Sequence, residues 1–243
     1  GKSALEQEKK LKPSQVKRLE AALKKPTSPL FNRTTARGRV AHAVVFVLYK
    51  LGLRSVELRR LKVGHVQPHE GKKGQQGLKL NVWGKGGRWR QLIVSGETAD
   101  YLKNYLKTKP GSKKDDAALF PAFEKKRSTK HRDKVDTTPS ADNPLGQPVS
   151  LSTIQYIVRQ MGVSADINHR SERVGRSPST FNVTGGKKSG VRRTVHFSPH
   201  QLRHTRLTML AEKGFSAFQI MKWAGLSQVS TAQIYVDLAG IET

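Results

Sequence analysis

The run from Ala36 to Leu51 constrains this chain more than any other segment. Val40, Val44, Val45, Val47, Leu48 and Leu51 cover most of the circumference of one helix there, and Gly52 stops it. A helix that is apolar nearly all round must be enclosed by other elements, so the rest of the chain has to wrap it. Helical spacing supplies the wrapping. Val16, Leu19, Ala22 and Leu23 recur after Pro13, with Ser14 as the expected N-cap and Pro26 and Pro29 as stops. Ser55 is expected to cap a short helix holding Glu57, Leu58 and Leu61, and further helices are expected over 97–107 and 150–161. Ser198-Pro199 reads as an N-cap followed by proline at the first helical position, with Gly214 closing that helix. A helix over 216–224 ends at Gly225, and Ser230 is the expected cap of a last one carrying Tyr235.

The period changes once. Leu78, Leu80 and Val82 alternate with polar residues, then comes Gly84-Lys85-Gly86-Gly87, then an apolar return over 91–94. This pattern predicts a β-hairpin with Lys85 at its tip. The fold class expected is therefore mainly α (α+β): a helical domain with a small antiparallel sheet. Two stretches interrupt it. Residues 108–149 read as a surface excursion around Leu119 and Phe120, and 163–197 as a second long loop with seven Lys/Arg against two acids, a net of +5.

Charge identifies the partner class. The chain carries 45 Lys+Arg against 18 Asp+Glu, a formal net charge of +27 and a pI near 10.6. Such an excess attracts a polyanion and releases the counterions condensed on it, so nucleic acid is the expected partner. No long apolar span or basic amphipathic anchor supports a membrane surface instead. The absence of cysteine excludes a disulfide framework, a thiolate metal site and a cysteine nucleophile. No targeting segment precedes the first helix, which gives an intracellular setting, cytoplasmic or nucleoid in a prokaryote, as the default. The chain begins at Gly1 rather than methionine, as a trimmed piece would.

Chemistry-bearing residues are individually ambiguous. His200, Arg203 and His204 stand at i, i+3 and i+4 on one helix face, which suits a catalytic cluster or a solvated face that meets backbone phosphate. A lone Arg54 at a helix start is commonly structural, and GKGG around Lys85 also suits a plain turn.

Their order and local context add more. Gly52-Leu53-Arg54-Ser55-Val56-Glu57-Leu58 is similar to the first arginine motif of the tyrosine recombinases, the phage-integrase-like family. Gly84-Lys85-Gly86-Gly87-Arg88-Trp89-Arg90 resembles that family's lysine-bearing β-turn. Ser198-Pro199-His200-Gln201-Leu202-Arg203-His204-Thr205 resembles its His-x-x-Arg motif, and the segment from Gly225 to Tyr235 resembles the one that ends in its nucleophile. All four lie in the family's order, between about Leu11 and Leu238.

The resemblance implies a catalytic domain of the DNA breaking-rejoining type over 13–243, after a basic lead-in or linker remnant over 1–12. It also implies a helical DNA-clamping domain ahead of this one. It assigns catalysis to Arg54, Lys85, His200, Arg203 and Tyr235, with Glu57 and His204 in support. Two fixed guanidiniums suit the non-bridging oxygens of a phosphodiester under attack, and His200 adds a donor or receives the tyrosine proton. Lys85 protonates the departing 5′ oxygen. DNA-binding positions implied are Arg88, Arg90, Lys187, Lys188, Arg192 and Arg193.

The expected activity is metal-, ATP- and cofactor-independent site-specific recombination of double-stranded DNA by a tetramer on two sites, monomeric without DNA. Integration, excision and resolution are the outcomes open to a mobile-element integrase of this kind. A telomere resolvase, a type IB topoisomerase-like enzyme and a weakened DNA-binding relative are the alternatives. One position departs from the pattern: where the family has His or Trp after the glycine matching Gly225, this chain has Leu226, which cannot donate to a phosphate oxygen. Trp223, two residues upstream, reads as a core or DNA-packing aromatic. Tyr49, Tyr101, Tyr105 and Tyr156 sit at core-like helical spacings.

Overall fold

A computed structural model describes residues 10–71, 74–84, 86–122, 124–125, 135–136, 146–167 and 197–240. The expected central helix, α2 (Ala36–Leu51), buries twelve of its sixteen residues. It packs on α4 (Gly96–Thr108), α5 (Leu151–Ser164) and α6 (Pro199–Glu212), while α1 (Pro13–Lys24) lies on α5. Full burial of each large apolar side chain here is worth about 1.5–3 kcal/mol, and Tyr49, Leu48 and Leu51 are among the most enclosed. Gly52 ends α2 at φ 66°, a conformation open to glycine, and frees its carbonyl to face α6.

Caps follow side-chain chemistry more than the expected positions. Thr35 accepts from Gly38 N–H, and Ser150 from Thr153 N–H, as N-caps should. Ser198 and Ser216 make reciprocal bonds with Gln201 and Gln219 three residues on, at the starts of α6 and α7 (Ala217–Ala224). Three expectations need correction. The N-cap of α1 is Lys12, not Ser14, and that of α3 (Ser55–Arg59) is Arg54, not Ser55. In both, the third helical residue reaches back: Gln15 Oε1 accepts from Lys12 N–H at 2.8 Å, and Glu57 Oε2 from Arg54 N–H at 2.9 Å. The last helix, α8 (Val229–Gly240), already contains Ser230.

The sheet has three strands rather than the two of a hairpin. β1 (Val66–Glu70), β2 (Gln76–Trp83) and β3 (Trp89–Val94) are antiparallel in that order, with Val66 opposite Leu80 and Val82 opposite Arg90. β1 escaped the sequence reading because Pro68 and polar neighbours hide its alternation. An edge strand tolerates that proline. The stretch after α4 is less superficial than expected. Leu119 and Phe120 are fully enclosed, and Leu119 N–H reaches Leu61 O at 2.9 Å while Val149 N–H reaches Phe120 O at 2.9 Å. A further antiparallel pair joins β4 (Glu124–Lys125) to β5 (Val135–Asp136).

A second, smaller apolar cluster holds the carboxy-terminal helices. Leu207 and Leu210 of α6, Ala217, Ile220 and Ala224 of α7, and Ala232 and Tyr235 of α8 form it, with Leu226 packed at its edge.

Candidate active site

Three elements converge where α7 ends. The turn from α2 into α3 brings Arg54 and Glu57, the inner face of β3 brings Arg90, and α6 brings Arg203. Glu57 is the centre of this group. Its carboxylate is 2% exposed, against 26% for Arg54, 11% for Arg90 and 6% for Arg203. Glu57 Oε1 accepts from Arg54 Nη1 at 2.8 Å and from Arg90 Nη1 at 2.9 Å. Oε2 accepts from Arg90 Nη2 at 2.8 Å and, as noted, from Arg54 N–H. Arg203 Nη1 stands 3.9 Å from the same Oε2.

The guanidiniums also cap α7. The carbonyls of Met221 and Lys222 accept from Leu226 and Gly225 N–H, and those of Trp223, Ala224 and the capping Gly225 each find an arginine. Arg90 Nε donates to Trp223 O at 2.9 Å, Arg203 Nη2 to Ala224 O at 2.7 Å, and Arg54 Nη2 to Gly225 O at 3.3 Å. Arg203 Nη1 donates in turn to Gly52 O at 2.7 Å. The negative end of the α7 dipole faces this cationic cluster, which stabilises both. Gly225 at φ 61° is needed for contact as well as for conformation, since a Cβ there would lie 2.8 Å from Arg90 Nη1.

Burial and charge shift the protonation equilibria in opposite senses. Burial works against the charged form of Glu57, yet the Arg90 fork and then Arg54 overcome it and hold the carboxyl below its ordinary range. Burial first, and the neighbouring Arg54 cation second, push Arg203 down to about 10, which leaves it fully charged at neutral pH.

Tyr235 comes from α8, which packs on α6, the helix that carries Arg203. It is buried in the second apolar cluster, and its Oη is 3.1 Å from His204 Nδ1. The imidazole at the tyrosine hydroxyl is thus His204, and His200 is exposed on the first turn of α6. Of the two roles expected of His200, a further donor or the acceptor of the tyrosine proton, this geometry does not support the second, because its ring is not the one at Tyr235 Oη. Arg90 is a second correction: expected at the DNA surface, it points inward and spends its fork on Glu57. The period-two pattern held the signal, because Arg90 shares a strand face with buried Leu92 and Val94. Arg88 is exposed, as a DNA contact would be, whereas Lys85, Lys187, Lys188, Arg192 and Arg193 lie outside the described residues.

Leu226 follows Gly225 directly and is half-buried against the second cluster. Trp223 does not stand in for the missing ring donor: its Nε1–H goes to Leu51 O at 2.9 Å, with Arg206 above the ring. The other tyrosines offer no rival nucleophile. Burial pushes the phenols of Tyr49, Tyr101 and Tyr105 up, with a Glu20 hydrogen bond adding to the effect at Tyr49. Tyr156 is exposed rather than core, on the surface of α5. Among the described residues no His, Asp and Glu side chains group as a metal site, and no helix is long and apolar enough to cross a membrane.

Comparison with known proteins gives the same picture. The model of the phage integrase family matches residues 9–240. A putative integrase/recombinase, y4rC, of Sinorhizobium fredii is 28% identical over 206 residues, covering 85% of this chain and 47% of the relative. The tyrosine recombinase XerC of Lactobacillus delbrueckii is 25% identical over 205 residues, covering 84% of this chain and 52% of that protein. The chain therefore spans about half the length of the curated relatives it matches. Among solved structures, the XerH site-specific recombinase bound to its difH substrate aligns with a TM-score of 0.61 at 16% identity, over 93% of this chain and 50% of that one. The XerA recombinase aligns with a TM-score of 0.54 at 23% identity, over 96% and 61%. Both structural likenesses speak to the fold.

Proposed function

The chain belongs to the phage integrase family, and from that premise we propose that it is the catalytic domain of a site-specific DNA recombinase that cuts and rejoins strands through Tyr235. The observation that carries the reading is the convergence of Arg54 and Arg203 on the end of α7, with Tyr235 Oη held at His204, the residue next to Arg203 on α6. Two charged guanidiniums fixed side by side form an anion site. A phosphodiester under attack gathers negative charge on its non-bridging oxygens, so such a site favours the transition state over the ground state. Tyr235 Oη attacks phosphorus, its proton has an acceptor in His204 Nδ1, and the P–O5′ bond breaks as the phosphotyrosine ester forms. Lys85 supplies the proton to the 5′ oxygen, and exposed His200 donates to a non-bridging oxygen. Because the ester retains the bond energy, rejoining needs no ATP, and the guanidiniums do the work a metal would otherwise do.

Double-stranded DNA is the proposed substrate. The charge of +27 supports it, with Arg88 and the basic 163–197 segment as candidate backbone contacts. We assign residues 13–243 to the catalytic domain, with 1–12 as lead-in. A tetramer on two DNA sites is the proposed working assembly. One observation favours a second reading, a DNA-binding relative with weakened catalysis: Leu226 leaves the phosphate one donor short.

A nicked duplex separates the two. Once cleaved, its short 5′ fragment diffuses away and traps the covalent complex. The wild-type chain is expected to give a DNA-linked band on a denaturing gel, with chelator present, and Tyr235→Phe to give none while binding DNA equally well. No band from the wild-type chain would favour the non-catalytic reading.

A further inference from the structure

The clasp around Glu57 holds one arginine more than the proposed chemistry uses. Arg90 is 11% exposed against 26% for Arg54, and unlike Arg54 and Arg203 it has no part assigned at the phosphate. Each of its three guanidinium nitrogens donates a bond, two to the carboxylate that also holds Arg54 and one to the helix end that does. Nη1 and Nη2 take both oxygens of Glu57, the carboxylate that fixes Arg54 Nη1. Nε takes Trp223 O, in the same helical turn whose Gly225 O accepts from Arg54 Nη1 and Nη2, both at 3.3 Å.

Resting on the reading above, we infer that Arg90 is a positioning residue, one that sets the plane of the Arg54 guanidinium by clamping Glu57 on one side and the last turn of α7 on the other. The fork matters more than the charge. A carboxylate held at both oxygens by one planar guanidinium cannot swing, so Arg54 meets Glu57 in a single geometry. A lysine at position 90 would keep the positive charge and lose both the second carboxylate bond and the bond to Trp223 O. Two glycines make room for the clamp. A Cβ at Gly225 or at Gly84 would approach Arg90 Nη1 to 2.8 or 3.2 Å, so the arginine is packed into a slot built from β2 and α7. Arg90 is also the leading cause, after burial is overcome, of the lowered Glu57 pKa.

The test compares two nicked duplexes: one with an ordinary scissile phosphodiester, one with a methylphosphonate there, which is neutral and gathers less charge in the transition state. The readout is the ratio of the two cleavage rates within one protein preparation, which cancels any loss of folded fraction. Arg54→Ala is expected to cleave the phosphodiester far more slowly than wild type, with much of that defect gone on the methylphosphonate. Arg90→Lys is expected to follow it: about 10²-fold slower on the phosphodiester, the scale of loss for a misplaced catalytic group, and markedly less impaired on the methylphosphonate. Arg90→Gln is expected to do the same, and Arg54→Ala with Arg90→Lys to be no slower than Arg54→Ala alone.

An Arg90→Lys defect equal on both substrates overturns the inference and leaves a packing role. So does a wild-type rate in Arg90→Lys, or a double variant slowed by the product of the single effects. If Arg54→Ala itself cleaves the phosphodiester at the wild-type rate, the underlying reading fails, which is a separate result.

Discussion

The arginine clasp and the tyrosine helix meet at Arg203, yet they are built differently. The clasp is held by charge and geometry: a buried carboxylate with its acceptor positions filled, and three guanidiniums that each cap a carbonyl of α7. The tyrosine side is held by shape. Tyr235 sits among Leu207, Leu210, Ile220, Ala224 and Ala232, small and aliphatic neighbours that pack without directional bonds. The anion-binding half is therefore set by directional bonds, whereas the nucleophile's helix is set mainly by apolar packing against α6 and α7, with the bond from Tyr235 Oη to His204 added.

The comparison predicts that damage to the clasp reduces stability and rate together, while changes on the tyrosine side alter rate alone. Glu57→Gln is the strongest way to break it. Removing the charge leaves three guanidiniums facing a neutral amide, and unpairing a buried ion costs about 3–5 kcal/mol. For a domain of this size that is a fall in Tm of roughly 6–20 °C, with cleavage lost alongside. A Tm within 2 °C of wild type, read against the roughly 2–4 °C expected per kcal/mol, would mean the clasp contributes little to folding. The pH dependence has a defined sign. Glu57 is held below its ordinary 4.5, so its contribution is present above 4.5 and is lost as pH falls through the folded value. Glu57→Gln should remove that part of the acid sensitivity.

Leu226→His tests the other half. Residue 226 follows the capped end of α7, where an imidazole would stand beside the anion site. Restoring one pre-organised donor is expected to raise the cleavage rate, by up to about 10²-fold, with little change in Tm or DNA affinity. An unchanged rate would mean that another group already serves the phosphate, or that residue 226 cannot reach it from its place in the apolar cluster.

The smallest effect lies outside both regions. His42 is buried between α1 and α4, with Nε2 2.8 Å from Leu23 O and Nδ1 2.6 Å from Tyr101 Oη. Burial lowers its pKa from 6.5, with Arg33 adding to the shift. Its neutral form therefore favours the fold above pH 6.5, and that contribution is lost as pH falls toward the folded value. Thermal unfolding between pH 7 and 5 should show a shallower slope in His42→Gln than in wild type. Equal slopes would remove His42 from the account.

Much of this was legible in the sequence because local chemistry and tertiary structure agree. α2 has no amphipathic choice to make, Ser150, Ser198 and Ser216 are good caps, and the hairpin alternates cleanly. Motif order brought out Arg54, Arg203 and Tyr235 as a set, although no one of them is distinctive alone. Legibility failed where the deciding partner is remote in sequence. Arg90 looks like a surface cation until β3 is paired with β2 and its inner face meets Glu57, 33 residues away. His204 outranks His200 at the tyrosine only because α8 returns beside α6. Lys12 and Arg54 are poor N-cap types, rescued by Gln15 and Glu57 reaching back from the third helical position. Residues 108–149 read as superficial because two apolar residues in a polar stretch do not show which neighbours they meet, and Leu119 and Phe120 are buried in the core, Leu119 bonded to Leu61 O.

Identifying the residue that carries the DNA tests the central claim most directly. The complex trapped on a nicked duplex would be digested with protease and nuclease, and the peptide retaining a nucleotide sequenced by mass spectrometry. The account predicts one modified residue, Tyr235, on the peptide that runs through α8, and no modified peptide from Tyr235→Phe. A nucleotide on Tyr49, Tyr101, Tyr105 or Tyr156, or on any serine, would contradict it.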